Sequence, residues 1–197
     1  MIITISGTPG SGKSTIAKIL ENKLGAERIY VGGIRRELAR QKGWTLEQLN
    51  EYAQTHPETD VDIDQQASAH ARQLEKKGNI IVAEGRTQFH FLPESIKIYI
   101  TVSPEEGARR IWNDLQHQEL QQQRNEGKIV SLEQLKRSLA EREEGDTQRY
   151  TKYYGFDHRD EKYYDLIIDT TSLRPEQAAQ KILDFVQAHK KNAKKNL

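Results

Sequence analysis

The amino-acid sequence predicts an α/β fold, a parallel sheet of about five strands with helices on both faces. Apolar segments of strand length alternate with helix-forming segments along the 197 residues. The strand segments are continuous apolar runs such as residues 80–83, which is typical of strands buried on both faces. Glycine and charged residues follow several of these runs, where ligands collect in parallel sheets.

The first predicted strand, residues 2–5, leads into Gly7-x-x-x-x-Gly12-Lys13-Ser14 and then into a helix-forming stretch. This order of strand, glycine-rich loop and helix is the phosphate cradle called the P-loop, and it disfavours a chance glycine-rich turn. Lys13 is expected to bridge the outer phosphates of a nucleoside triphosphate, and Ser14 to bind Mg²⁺. The expected phosphate-binding residues are Gly7, Thr8, Pro9, Gly10, Ser11, Gly12, Lys13, Ser14 and Thr15.

The next elements follow from helical spacing and from stop signals. Apolar residues at 16, 17, 20 and 24 predict a helix that ends at Gly25. Residues 28–31 predict a strand, and Gly32-Gly33 precede a helix over residues 34–41. Thr45-x-x-Gln48 predicts a capping box, and a polar helix over residues 60–77 follows Pro57.

The second half of the chain repeats the alternation. The strand at residues 80–83 delivers Glu84-Gly85-Arg86, and the strand at residues 96–102 leads into a helix begun by Ser103-Pro104. The glutamine-rich residues 116–123 predict a helix end or an exposed hairpin. The remaining predicted elements are a helix from residue 131 to about 154, a strand at 164–168, a helix at about 175–189 and a solvated basic tail.

One face of the helix after residue 131 changes from apolar to charged without changing direction. Leu135, Leu139, Arg142, Asp146 and Arg149 are spaced by four, three, four and three residues. The charged end of this face could therefore lie in a cleft. Arginines there would stabilise the negative charge of a phosphoryl group during its transfer. An exposed helix with an ordinary Arg142–Asp146 pair explains the same spacing, and the spacing alone does not choose between them.

Other charged residues follow the predicted strands. Arg36 and Arg86 each lie beside a strand's carboxyl end, where a second anionic substrate would bind. Glu84 could accept hydrogen bonds from metal-bound water or hold Arg86 or Lys13. Arg109 and Arg110 point about 100° apart on a helix, so that one could face a cleft while the other is solvated. The run Asp60-x-Asp62-x-Asp64 lacks the glycine and closing glutamate of a calcium loop.

Composition narrows the functional classes. Apolar residues make up 35% of the chain and charged residues 30%, with a net charge of +1, which argues against a nucleic-acid or membrane surface. There is no cysteine, so disulfides and thiolate chemistry are excluded. No apolar run approaches the roughly 20 residues of a membrane span. We expect a cytoplasmic monomer.

Five further motifs accompany the P-loop: GGIRREL (32–38), AEGR (83–86), SPEEGARRI (103–111), EREEGDTQRYTKYYG (141–155) and YDLIIDT (164–170). In this order, over nearly the whole chain, they resemble the cytidylate kinases, close to the short archaeal-type branch in the first half. The resemblance implies a nucleoside monophosphate kinase fold in one domain, residues 1–197, with a monophosphate-binding helical segment at about 32–78 and a lid at about 109–155. The implied reaction is ATP + CMP giving ADP + CDP with Mg²⁺.

The resemblance also implies roles for single residues. The implied catalytic residues are Lys13, Arg86, Arg142 and Arg149. The implied monophosphate-binding residues are Gly32, Arg36, Glu84, Gly85, Arg86, Asp146 and Arg149, and the implied lid arginines are Arg109 and Arg110. For the charged helix face, the resemblance favours the functional interpretation.

Some positions depart from the family pattern. Val31 stands where bacterial members have serine, Arg35 where an aromatic residue is usual, and Thr87-Gln88 where bacterial enzymes help to read cytosine. These changes concern the choice of base rather than phosphoryl transfer. CMP or dCMP is the expected acceptor. The alternatives are another P-loop kinase, acting on a different nucleotide or a small hydroxylated metabolite, and a nucleotide-binding switch module without transfer activity.

Overall fold

The computed structural model describes residues 1–195 and contains a five-stranded parallel sheet of order β2-β3-β1-β4-β5. The strands are Ile2–Gly7 (β1), Glu27–Tyr30 (β2), Ile81–Glu84 (β3), Ile96–Thr101 (β4) and Leu166–Asp169 (β5). In the register of the sheet, Ile5 of β1 lies beside Glu84 and Gly7 beside Ile100. The predicted α/β class and the parallel sheet are confirmed.

Helices connect the strands. They are Lys13–Leu24 (α1), Val31–Gln41 (α2), Leu46–Ala53 (α3), Glu58–Lys76 (α4), Gln88–Phe91 (α5), Pro104–Leu115 (α6), Gln118–Arg124 (α7), Leu132–Tyr154 (α8) and Pro175–Lys195 (α9), with a short 3-10 turn at Glu161–Tyr163. The predicted capping box begins α3, because the Thr45 hydroxyl accepts from the Gln48 N–H at 3.2 Å and the Gln48 side chain accepts from the Thr45 N–H at 2.8 Å. In the part of the chain that the structure describes, no helix combines the length and apolarity that crossing a membrane requires.

The sheet has a hydrophobic core on each face. On one face, α1 and α9 pack against the central strands through residues such as Ile16, Leu20 and Ile182. On the other face, α4 packs against β2 and β3 through Ala67 and Ala71. This confirms helices on both faces, and a buried sheet of this kind fixes the positions of its strand ends.

A third cluster joins α6 to α8. It contains Ala108 and Ile111 of α6 with Leu135 and Leu139 of α8, all at most 8% exposed. The apolar half of the α8 face therefore packs as expected. The other end of α8 contacts α3, where the Tyr153 hydroxyl donates to the Ala53 carbonyl at 2.7 Å. Helix α8 is thus anchored at both ends.

Three elements differ from the prediction. Helix α2 already begins at Val31, so Gly32 and Gly33 lie inside its first turn; a Cβ on Gly33 would lie 2.5 Å from the ring of Tyr30, which packs against that turn. The glutamine-rich segment forms α7 rather than a hairpin, because Gln, Glu, Leu and Arg are good helix formers. Helix α9 extends through much of the predicted tail, whose last residues, 196–197, lie outside the described part.

Candidate active site

A cleft of about 650 Å³ opens at the carboxyl ends of the strands. Its walls are the loop after β1, the start of α2, the end of β3, the lid elements α6 to α8 and the loop after β5. We call this space the cleft. Of the expected site residues it is lined by Pro9, Gly10, Ser11, Gly12, Lys13, Ser14, Thr15, Gly32, Arg36, Glu84, Gly85, Arg86, Arg110, Arg142 and Asp146.

The P-loop fits tightly between β4 and α6. Gly7 has φ +146°, and a Cβ there would lie 1.9 Å from the carbonyl oxygen of Ile100. Gly10 has φ +74°, and a Cβ there would lie 2.3 Å from the carbonyl oxygen of Gly107 in α6. Only glycine combines these dihedrals with this approach. The N–H groups at the start of α1 therefore face the cleft, where they suit an anion.

Lys13 lies inside the loop. Its ammonium group donates to the carbonyl oxygens of Gly7 at 2.8 Å and of Thr8 at 2.6 Å. Loss of water around the ammonium group, together with the nearby positive charge of Arg86, lowers the pKa of Lys13 to about 7. A triphosphate would give this ammonium group a charged partner, so the loop fits the ligand that the sequence predicts.

Ser14 and Glu84 meet beside the loop. The Ser14 hydroxyl donates to the Glu84 carboxylate at 2.5 Å, and Arg28 of β2 forms an ion pair with the same carboxylate. Glu84 therefore contacts neither Arg86 nor Lys13 by hydrogen bond or ion pair among the described residues, contrary to one of the expectations for it, and it faces the P-loop rather than the acceptor side. A hydroxyl and a carboxylate suit Mg²⁺, which keeps several waters and phosphate oxygens as its other ligands.

Arg36 lies on the other wall of the cleft. Its Nη1 atom donates to the Tyr30 hydroxyl at 2.9 Å and to the Gly32 carbonyl at 3.1 Å, while Nε donates to the Arg124 carbonyl at 3.0 Å. Gly32 lies under the guanidinium group, and a Cβ at Gly32 would come within 3.1 Å of Nη1. Gly32 and Arg36 of the GGIRREL motif are thus brought together on this wall of the cleft.

Five charged side chains alternate in sign beneath this wall, and we call them the charge ladder. Arg149 donates to Asp60 at 2.6 Å through Nε and to Asp146 at 2.5 Å through Nη2. Arg35 pairs with the other oxygen of Asp60, and Arg86 with the other oxygen of Asp146. The ladder joins α2 and α4 to α8 and to the end of β3.

Arg149, which the resemblance places on phosphate, lies in the middle of the charge ladder. Its side chain is 1% exposed and both of its ion-pair partners are buried carboxylates. Arg142 and Asp146 line the cleft, whereas Arg149 lies one turn further along α8, behind them. In this structure Arg149 is therefore the ion-pair partner of two buried carboxylates and does not line the cleft, and its contact with phosphate stays a prediction.

The two lid arginines of α6 also have different positions. Arg109 is 59% exposed and pairs with Glu106, so it faces solvent and not the cleft. Arg110 faces inward and donates through Nη2 to the Thr170 carbonyl at 2.7 Å. Arg110 thereby ties α6 to the loop after β5, and Arg109 is not supported as a lid arginine of the cleft.

Sequence reasoning missed the carboxylates of α4. Asp60 and Asp64 both line the cleft although they form no calcium loop. Asp64 accepts from the Gln88 amide at 3.0 Å and from the Tyr154 hydroxyl at 2.8 Å, and burial raises its pKa to about 6. Their spacing of four residues puts both on one face of a helix, and this signal was available in the sequence. Among the described residues, no cluster of three or more His, Cys or acidic side chains could hold a metal ion.

The fold and the cleft define the chain as a P-loop protein with arginines opposite a phosphate cradle. A family model described as an AAA domain matches residues 3–131. Among solved structures, a shikimate kinase from Acinetobacter baumannii has the same fold, with a TM-score of 0.57 at 18% identity, over 96% of this chain and 94% of that one. The chain therefore has a fold that P-loop kinases share.

Sequence comparison narrows this class. The chain is 38% identical to a cytidylate kinase of Archaeoglobus fulgidus over 191 residues, 96% of this chain and 97% of that protein. It is 34% identical to a cytidylate kinase of Pyrococcus horikoshii over 179 residues, 89% of this chain and 83% of that protein. The chain belongs to the cytidylate kinase family.

Proposed function

We propose that this protein transfers the γ-phosphoryl group of Mg-ATP to CMP or dCMP, giving ADP and CDP or dCDP. The observation that carries the proposal is the continuity of the cleft, which holds the P-loop on one wall and Arg36, Arg86 and Arg142 on the others. A phosphate cradle and a set of arginines in one cavity suit two phosphorylated substrates that meet end to end.

On the donor side, the P-loop N–H groups and Lys13 would bind the β- and γ-phosphates. Ser14 and Glu84 would hold Mg²⁺ and its water ligands. The metal would neutralise charge on the phosphate oxygens during transfer. In this structure the Lys13 ammonium group donates to two carbonyl oxygens of the loop itself, so it already lies beside the loop that would hold the phosphates.

On the acceptor side, Arg36, Arg86 and Arg142 would bind the 5′-phosphate. One of its oxygens would attack the γ-phosphorus while the bond from that phosphorus to the β-phosphate oxygen breaks. No strong base is required, because the second pKa of a phosphate monoester is about 6 and the attacking group is largely anionic at neutral pH. No covalent enzyme intermediate is formed.

Two carboxylates in the lining of the cleft support the choice of cytosine. Asp60 and Asp64 are buried carboxylates that line it, and carboxylates accept hydrogen bonds. The exocyclic amino group of cytosine donates hydrogen bonds, whereas uracil has a carbonyl oxygen at that position. A carboxylate facing this edge would therefore favour cytosine and repel uracil.

The test is an acceptor panel. ADP release from Mg-ATP is measured with CMP, dCMP, UMP, AMP and GMP offered separately. We expect the highest kcat/KM with CMP or dCMP. A preference for another nucleotide would still indicate a nucleoside monophosphate kinase, but it would contradict cytosine as the base of the acceptor. Turnover with none of the five by a protein that binds ATP would contradict the proposed activity.

A further inference from the structure

Residues 124–126 of the lid, which we call the strap, lie across the cleft against the acceptor wall. The Leu46 N–H donates to the Asn125 carbonyl at 2.9 Å, and the Asn125 side chain donates to the Trp44 carbonyl at 3.0 Å. Asn125 caps α7 with φ 53°, which turns the chain toward Glu126. The strap is thus docked on the loop between α2 and α3.

The strap contacts two arginines of the acceptor side. The Arg124 carbonyl accepts from Arg36 Nε at 3.0 Å. The Glu126 carboxylate accepts from Arg142 Nη1 through both oxygens, at 3.1 and 3.2 Å. Arg36 and Arg142 are two of the three arginines that the proposed function places on the acceptor phosphate. Their present partners belong to the protein itself.

Glu126 is placed as an anion in a cationic site. Its side chain is 8% exposed although it is charged, and it lines the cleft. The Arg36 guanidinium group is attracted electrostatically by the negative charge of Glu126. It is repelled by the positive charges of Arg142 and Arg124. Arg124 is paired with Asp114, so Glu126 is the carboxylate that faces the guanidinium groups of Arg36 and Arg142.

The present arrangement leaves hydrogen-bonding capacity unused. Within residues 1–195, the buried Nε atom of Arg142 has no hydrogen-bond partner. A carboxylate offers two oxygens, whereas a phosphate monoester offers three and carries more charge near neutral pH. A phosphate would satisfy this guanidinium group more completely than Glu126 does.

We propose that Glu126 is an internal substitute for the acceptor phosphate, which holds the strap over the acceptor side until the 5′-phosphate of the monophosphate displaces it. This inference rests on the proposed function. The strap then moves away from Arg36 and Arg142 as the acceptor binds. Acceptor binding is opposed by the Glu126 contacts, and ATP binding at the P-loop is not.

The test compares Glu126→Gln with wild-type enzyme. The matched control is Glu119→Gln, which removes the same charge from an exposed position of α7. We expect Glu126→Gln to lower the KM and Kd for CMP by about fivefold, the range for loss of one competing ion pair, with the Kd for ATP unchanged. Inorganic phosphate, competing with CMP, should inhibit this variant at correspondingly lower concentration. Glu119→Gln should behave as wild type.

A second variant keeps the test valid if Glu126→Gln does not fold. Glu126→Asp keeps the charge but shortens the side chain, and we expect a smaller decrease in KM in the same direction. An unchanged or raised KM with a lowered kcat in both variants would overturn the inference and make Glu126 a residue that positions Arg142. Wild-type enzyme that neither binds nor phosphorylates CMP would instead contradict the proposed function.

Discussion

Replacing Lys13 by alanine is expected to lower kcat by about a thousandfold while the protein stays folded. The ammonium group is the cation that the P-loop itself supplies, and its present partners are the carbonyl oxygens of Gly7 and Thr8. The measurement is ADP release with saturating Mg-ATP and CMP, with circular dichroism to check the fold. Lys18→Ala is the control, because Lys18 lies on the exposed side of the same helix.

The pH dependence of stability gives an independent check on Lys13. Its pKa in the folded protein is lowered to about 7, from 10.5 for a free lysine. Between these values the unfolded chain binds more protons than the folded one, so this group makes stability rise with pH. The melting temperature of wild type relative to Lys13→Ala should therefore increase from pH 7 to about 9.

For the activity prediction, retained turnover in Lys13→Ala would contradict the P-loop assignment.

Replacing Arg149 by alanine is expected to destabilise the protein by about 3 kcal/mol, as does the removal of one partner from a buried ion-pair network. Arg149 is 1% exposed and joins Asp60 to Asp146. The effect lies at the lower end of the usual range because Arg35 and Arg86 remain as partners of the two carboxylates. Urea unfolding measures it.

Arg142→Ala is the matched comparison on the same helix. Arg142 lines the cleft and is 22% exposed, so we expect its loss to lower kcat and to change stability by less than about 1 kcal/mol. Wild-type stability in Arg149→Ala, combined with a large loss of kcat, would show that Arg149 meets phosphate after all. That result would return Arg149 to the role that the sequence suggests.

Local patterns carried the prediction of the P-loop and of α8. The P-loop residues are contiguous, so their motif was readable, although the contacts that require glycine at Gly7 and Gly10 come from Ile100 and Gly107, far along the chain. The direction of the α8 face was readable because a helix has a fixed period, so Leu135 and Arg142 were placed on the same side. Both features depend on short-range geometry.

The partners of the charged residues were not readable, because they depend on which helices pack together. Arg149 forms an ion pair with Asp60, which lies 89 residues earlier in the chain. Glu84 forms an ion pair with Arg28, which lies 56 residues earlier. Residue type alone does not distinguish an arginine that binds phosphate from one that pairs with a buried carboxylate. Glu126 was missed for the same reason.

The most direct measurement follows the γ-phosphate itself. Enzyme is mixed with CMP and Mg-ATP labelled with ³²P at the γ position, and the products are separated. We expect the label in CDP, formed in equal amount to ADP, with no label on the protein and with loss of transfer when Mg²⁺ is chelated. Label released as inorganic phosphate, or retained on the protein, would contradict direct transfer between two nucleotides in one cleft.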